Sequence, residues 1–216
     1  MLATKAQMAK LMGVFHSGRK MTYKRGEYIL RPGESPSGIY YIEKGLVKAF
    51  DITKYGEENL LIIREAGEIF PLIWAITGEE RDIIYQALVP TTVWRIRRPE
   101  YLAYLKGHTD ALPPLLDMAI EAYRRHSERI LNLEYRSVRE RLISFLLTMA
   151  KRFGEPARKG ELINVPLRQQ DIASSINASR ETASRELAYL ERKGLLRVES
   201  PFIVLLNKKK LQEYLD

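Results

Sequence analysis

The sequence predicts an α+β chain in three parts: an antiparallel β-roll, one long helix, and a small helical unit closed by a hairpin. Three observations predict it. Across residues 21–96, short apolar runs alternate with glycine turns at 26, 33, 38, 45, 56, 67 and 78, the cadence of a small antiparallel barrel or roll. From Leu116 to Ser137 apolar positions recur at alternating spacings of three and four, as in a helix that buries one seam. Beyond Gln169, two helical patterns joined by a tight turn precede two apolar runs around Glu199-Ser200-Pro201. That order describes a winged helix-turn-helix.

Composition bounds the class. A chain of 216 residues with 45% hydrophobic and 29% charged residues is ordinary for a globular protein with one large or two small cores. The net charge of +8 and the sequence pI of about 9.6 suggest an anionic partner. Residues 1–137 carry 20 basic against 17 acidic side chains, and 138–216 carry 15 against 10, so positive charge is denser in the second part. A solvated basic surface would give similar totals, so charge alone decides little. Cysteine is absent, which excludes disulfides, thiolate iron–sulfur clusters and cysteine-based zinc sites. No secretory leader is visible, and the most apolar stretch, 68–78, is too short to span a bilayer. The expectation is a soluble, cytoplasmic protein without a membrane partner.

Residues 2–15 read as a short amphipathic helix, with Leu2, Met8, Leu11, Met12 and Phe15 on its apolar side. The runs Tyr28-Ile29-Leu30, Ile39-Tyr40-Tyr41-Ile42 and Asn59-Leu60-Leu61-Ile62-Ile63 supply strands of the roll, and 99–106 returns to helix. Pro113 and Pro114 suit the first turn of the long helix, where a missing N–H costs little. Its seam runs through Leu116, Ala119, Tyr123, His126, Ile130 and Leu133, flanked by Glu121, Arg124, Arg125, Glu128 and Arg129. A helix packed on its own domain would also carry an apolar stripe. The length and the polar interruptions favour a seam between two copies related by a two-fold axis.

Ser137-Val138-Arg139-Glu140 fits a capping box, so a new helix starts there and runs over 138–153 on Val138, Leu142, Phe145, Leu146 and Met149. The hinge falls at 135–137. It divides the chain into a roll at 1–110, a dimerisation helix at 111–136 and a winged helix-turn-helix at 137–216. Residues 154–160 read as a loop holding Pro156 and three charges, and 169–176 as a short helix. The last helix runs to about Lys193 and is ended by Gly194. The hairpin pairs Leu195-Leu196-Arg197-Val198 with Phe202-Ile203-Val204-Leu205-Leu206.

The chemistry concentrates where that last helix begins. Asn177 suits the turn because its short amide tolerates a left-handed backbone. Ser179 caps the helix, its hydroxyl accepting from the Thr182 backbone N–H. Arg180, Glu181, Ser184 and Arg185 follow. Arginine holds guanine O6 and N7 with two bonds, and glutamate accepts from the cytosine amino group. One helix face therefore carries what a major-groove reader needs. A solvated face with Glu181 paired to Arg185 at i,i+4 is the plainer alternative; the wing and the seam weigh against it.

Several stretches carry a resemblance: Gln170-Asp171-Ile172-Ala173, Ala178-Ser179-Arg180-Glu181-Thr182, Arg185-Glu186-Leu187, Leu30-Arg31-Pro32-Gly33-Glu34, and Tyr40-Tyr41-Ile42-Glu43-Lys44-Gly45 with Gly67. With the order of roll, long helix and wing, they resemble the catabolite activator protein/FNR (CRP/FNR) family of bacterial transcription regulators over nearly the whole chain. The resemblance implies a jelly-roll of the cyclic-nucleotide-binding kind and a homodimer. It also implies recognition helices in successive major grooves about 34–36 Å apart on an inverted repeat, the docking geometry the catabolite activator exemplifies. In catabolite-activator-like members, residues matching Arg180, Glu181 and Arg185 read a TGTGA-type half-site. In FNR-like members, residues matching Glu181, Ser184 and Arg185 read a TTGAT-type half-site. This chain carries both sets, so the shared TGA core is expected and the outer bases stay open. Gln170, Ser179 and Thr182 are expected against phosphate, as are Lys208, Lys209 and Lys210 unless they are plain solvated surface. RNA polymerase contacts in such regulators usually lie on surface loops such as 154–160.

Nucleotide-binding members carry a cassette resembling G-E-L followed by R-S/T-A. The matching residues here are Gly67-Glu68-Ile69-Phe70-Pro71-Leu72 and Arg81-Asp82-Ile83. Pro71 and Leu72 stand for the glycine and glutamate, and Asp82 for the serine or threonine. Leu72 cannot accept from a ribose hydroxyl, and Asp82 repels a phosphate and is expected to pair with Arg81 instead. Tight cAMP binding is not expected. The apolar neighbours Ile69, Phe70, Ile73, Trp74, Ile76 and Ile84 are either core or the wall of a pocket for a hydrophobic effector. The candidate effector pocket is Leu72, Arg81, Asp82 and Ile83 with His126 and Ser127, where resembling regulators contact the effector's base.

His126 has several readings: a packed polar residue, an effector contact, a haem ligand or a pH-sensitive seam element. Haem stays open, with His16 and His108 as the other histidines. No metal site or other cofactor is expected. The stretch 21–98 has no histidine, so the histidine–carboxylate set of barrel oxygenases and isomerases is missing. No Ser/His/Asp set or Gly-Lys phosphate loop appears either, and no enzyme is expected. The expectation is a homodimeric regulator of double-stranded DNA controlled by a small-molecule effector that is not a cyclic nucleotide. A constitutive DNA binder with a vestigial ligand site, or a haem-based gas sensor, are the other readings.

Overall fold

The computed structural model describes residues 2–215. Two compact units emerge: Met1–Asp51 with Leu61–Arg125, and Ile52–Leu60 with His126–Asp216. In chain order the elements are α1 (Lys5–Gly13), β1 (Arg19–Tyr23), β2 (Tyr28–Leu30), β3 (Ile39–Lys44), β4 (Leu46–Ile52), β5 (Glu58–Glu65), β6 (Ile69–Phe70), α2 (Leu72–Thr77), β7 (Ile84–Ala87), β8 (Thr91–Ile96) and α3 (Arg98–Gly107). Then come α4 (Leu112–Tyr135), α5 (Val138–Phe153), β9 (Gly154–Pro156), β10 (Glu161–Ile163), α6 (Gln169–Ser175), α7 (Arg180–Arg192), β11 (Leu196–Glu199), β12 (Phe202–Leu205) and α8 (Lys208–Gln212).

The glycine-punctuated stretch forms two four-stranded sheets, ordered β1-β8-β3-β6 and β2-β7-β4-β5. This is the roll that the strand cadence predicts. Alternation sends Tyr40, Ile42, Val47, Ala49, Phe70, Tyr85 and Val93 into one apolar cluster. Phe70 stacks on Tyr40 at 5.2 Å and on Tyr85 at 4.6 Å between ring centroids. A second cluster joins Leu11 and Phe15 to Ile39, Ile69, Tyr101 and Leu115, which is why α1 and α3 bury one face each.

Gly45 joins β3 to β4 at φ +103°, and a Cβ there would meet Thr91 Oγ1 at 2.4 Å, Thr91 Cα at 2.7 Å and the Pro90 carbonyl oxygen at 2.8 Å. Gly45→Ala is expected to lower stability by about 2 kcal/mol or more, combining left-handed strain with a backbone clash. A shift of the urea midpoint at unchanged slope would register it, and an unshifted midpoint would contradict the tight turn.

In the second unit, α5 begins as its capping box requires. The Ser137 N–H donates to Glu140 Oε2 at 2.7 Å, and the Glu140 N–H returns to Ser137 Oγ at 3.4 Å. Leu142, Ile143 and Leu146 are fully buried on one face. One expectation fails here. Residues 154–160 are not simply a loop, because β9 pairs with β10 and the sheet runs β11-β12-β10-β9. Strands of three residues are too short to show alternation, and Pro156 argues locally against a strand. Proline is tolerated because β9 is the sheet edge. The hairpin read from the sequence is thus half of a four-stranded wing.

Candidate nucleic-acid interface

The turn between α6 and α7 is shaped by Asn177, which sits at φ +49° as a short amide permits. Ser179 then adopts an extended backbone, and its Oγ accepts from the Thr182 N–H at 3.1 Å. Ala183, Leu187 and Leu190 are buried on the inner side of α7, which turns Arg180, Glu181 and Arg185 outward, all exposed, with Ser184 half-buried beside them. The four predicted base readers therefore share one face. Thr182 is half-buried at the cap, and Gln170, the second residue of α6, is also half-buried.

Glu181 is held below the ordinary carboxylate range, first by its own backbone N–H, then by the Ser179 hydroxyl and the neighbouring Arg180 charge. It stays an ionised acceptor near neutrality. The i,i+4 pair with Arg185 that the plainer alternative requires does not form among the described residues. Arg185 Nη2 instead lies 3.5 Å from Thr182 Oγ1, which leaves the guanidinium fork turned to solvent. Glu186 is different: it takes Arg139 Nε at 2.7 Å, and the Arg139 guanidinium lies 3.7 Å over the Tyr189 ring. That pair fastens α7 to α5.

Sequence reasoning missed the groups that hold the turn. Arg141 on α5 donates from Nε to the Ile176 carbonyl at 2.8 Å, from Nη2 to the Asn177 carbonyl at 3.3 Å and from Nη1 to the Arg136 carbonyl at 3.0 Å. Arg168 grips buried Asp171 with Nε at 3.0 Å and Nη2 at 2.8 Å, and also pairs with Glu58. Nothing local in the sequence marks Arg141, whose two partners on the turn are 35 and 36 residues away. Arg141→Ala is expected to cost about 1–3 kcal/mol by stripping charged donors from turn carbonyls. Thermal melting and DNA binding should fall together; a normal melt with normal binding would deny it a positioning role.

The lysine run divides. Lys208 pairs with Glu161 at 2.7 Å, while Lys209 and Lys210 are exposed on α8. Along α4, Leu116, Ala119, Tyr123, His126, Ile130 and Leu133 are all exposed, Tyr123 at 71% and Ile130 at 61%. Exposed Leu112 and Ile120 accompany them.

Of the candidate effector residues, Leu72 opens α2 half-buried, Arg81 and Asp82 are exposed in the irregular segment before β7, and Ile83 is half-buried against the roll core. His126 is exposed and Ser127 half-buried on α4. The expected Arg81–Asp82 pair is not formed among the described residues; the segment turns tightly there, with the Ile83 N–H donating to the Arg81 carbonyl at 2.7 Å. Ile73 and Ile76 are exposed rather than core, whereas Ile69 and Phe70 are buried. His16 meets the Trp94 ring edge-on at 4.9 Å and His108 stacks on Tyr104 at 4.1 Å. Among the described residues, no group of three His, Cys, Asp or Glu side chains is placed to hold a metal ion. No described helix is long and apolar enough to cross a membrane.

Comparison with known proteins adds to this geometry. Residues 140–214 match the family model described as a Crp-like helix-turn-helix domain, and 20–108 match the one described as a cyclic nucleotide-binding domain. The chain is similar to the global nitrogen regulator of Synechocystis sp., at 28% identity over 89% of this chain and 86% of that one. It is similar also to the fumarate and nitrate reduction regulatory protein of Vibrio cholerae, at 27% identity over 90% and 78%. The fold matches a mutant of CooA from Carboxydothermus hydrogenoformans with a TM-score of 0.78, at 22% identity over 94% and 90% of the two chains.

Proposed function

The chain belongs to the CRP/FNR family of DNA-binding transcription regulators, and from that premise we propose that it reads an inverted repeat with TGA-containing half-sites as a homodimer. Family members bind DNA and act as dimers, and the relatives are transcription regulators rather than enzymes. The observation that carries the finer reading is the outward face of α7, with Arg180, Glu181 and Arg185 exposed over a buried Ala183, Leu187 and Leu190. Glu181 and Arg185 supply the acceptor and the fork for the TGA core, and Ser179, Thr182 and Gln170 set the helix against phosphate. The seam of α4 brings two such heads together, and a small effector acting on the roll sets their spacing. RNA polymerase is the further partner this role requires.

The effector is not a cyclic nucleotide. Leu72 offers no acceptor to a ribose, and Asp82 places an exposed carboxylate beside Arg81. Fluorescence anisotropy on a TGA inverted repeat against the same duplex with scrambled half-sites tests the proposal. A preference of about 10³ or more at physiological salt is expected. Equal affinity for both duplexes would defeat the reading of α7, and micromolar or tighter cAMP binding by calorimetry would defeat the reading of the cassette.

A further inference from the structure

One cluster in the second unit carries more negative charge than a surface that meets DNA calls for. Arg168, the residue before α6, lies two positions from Gln170, which the proposed docking sets against phosphate. Its guanidinium is already neutralised. Nε and Nη2 hold Asp171 Oδ2 and Oδ1 at 3.0 and 2.8 Å, and the Asp171 side chain is only 3% exposed. Glu58, the first residue of β5, brings a second carboxylate to the same Nη2. One cation against two carboxylates leaves a surplus negative charge, in a chain whose net charge is +8.

Attachment alone does not call for this second acid. Residues 52–60 and α6 belong to one compact unit, and other bonds join them. The Leu60 N–H donates to Ser174 Oγ at 3.1 Å. Arg129 donates to the Leu60 carbonyl at 3.0 Å and to the Ser174 carbonyl at 3.4 Å. Asp171 does most to hold the Arg168 guanidinium above its ordinary pKa, with Glu58 the lesser contributor. The Arg168 and Glu58 side chains are 54% and 28% exposed, and ion pairs at such exposure are weak and salt-sensitive. Arg168 Nη1 makes no hydrogen bond among the described residues, so the outer edge of the fork stays open to an acceptor. Asp171 aims the arginine, and Glu58 sits on the part of it that can trade partners.

We propose that Glu58 is an internal competitor of DNA: its carboxylate occupies Arg168 in the free protein, and a backbone phosphate takes its place on the operator. This rests on the placing of α6 across the DNA backbone, as the first helix of a helix-turn-helix lies. Carboxylate and phosphate oxygens are alternative acceptors for one guanidinium fork. The exchange gives up an exposed pair for another charge-assisted contact, so it costs little. Until it occurs, the surplus carboxylate charge repels incoming phosphate. Phosphate contacts carry no sequence information, so Glu58 sets the strength of binding and leaves the choice of site to α7.

The test is fluorescence anisotropy of the full chain on the TGA inverted repeat and on its scrambled counterpart. Glu58→Gln is expected to tighten binding to both, by about two- to fivefold per reading head, the range that exposed ion pairs span. The gain should shrink as salt is raised. Glu57→Gln removes the same charge from an exposed neighbour that pairs with no arginine among the described residues, and it should shift affinity less. In an Arg168→Gln background the gain from Glu58→Gln should vanish. Arg168→Gln strips a partner from buried Asp171, so its fold is checked by circular dichroism; if the fold is lost, the comparison of Glu58→Gln with Glu57→Gln stands alone as the test. Unchanged or weaker binding by Glu58→Gln, a gain confined to the operator, a gain matched by Glu57→Gln, or one that survives Arg168→Gln would overturn the inference. Any of these leaves the reading of α7 intact, whereas an unsubstituted chain with no preference for the operator removes that reading itself.

Discussion

Arg185→Ala is expected to weaken binding to the cognate inverted repeat by roughly 5- to 150-fold per half-site, the equivalent of about 1–3 kcal/mol for one bidentate base contact. The side chain is exposed and its hydrogen bond to Thr182 is long, at 3.5 Å, so the substitution removes little that α7 needs to fold. Affinity for a scrambled duplex should hardly move, because that binding comes from phosphate contacts. Anisotropy on both duplexes separates the two effects, and parallel losses on both would mean that Arg185 contacts backbone rather than base. Glu181→Ala should relax discrimination opposite its cytosine instead. Glu186→Ala would act differently again, loosening α7 through the loss of its 2.7 Å pair with Arg139.

Ile130→Asp is expected to abolish the dimer and, with it, most operator affinity. Ile130 is 61% exposed in the single chain, so an aspartate there leaves the protomer's own core intact. In a seam with Tyr123 and Leu133 the same carboxylate would be buried against its symmetry mate, without a partner. Losing the link between two reading heads removes the effective-concentration gain of bivalent binding, on the order of 10²–10⁴ in affinity. Light scattering should show a monomer at micromolar concentration, with weak half-site binding left. A stable dimer in this variant would place the interface elsewhere.

Much of this architecture was legible because local rules decide it. The S-x-x-E spacing at Ser137 sets the start of α5, Asn177 and Ser179 shape the turn into α7, and the seam spacing leaves Leu116, Tyr123 and Ile130 exposed on one stripe of α4. What escaped is long-range or short-lived along the chain. β9 and β10 are three residues each and show no period. Arg141, Arg139 and Arg168 carry no mark of their roles in the sequence, because most of the carbonyls and carboxylates they serve are brought near only by folding. The cassette was legible as a departure from a pattern, in Pro71, Leu72 and Asp82.

The second unit is not a contiguous piece of chain. Residues 52–60, from the tip of the β4–β5 hairpin, belong to it. There Glu58 pairs with Arg168, the Leu60 N–H donates to Ser174 Oγ at 3.1 Å, and Arg129 donates to the Leu60 carbonyl at 3.0 Å. A fragment cut at Ser137 would leave Arg168 and Ser174 without partners that lie more than a hundred residues upstream. Genetic dissection of the reading head from the rest of the protein would therefore yield an altered object, one in which α6 has lost its splint.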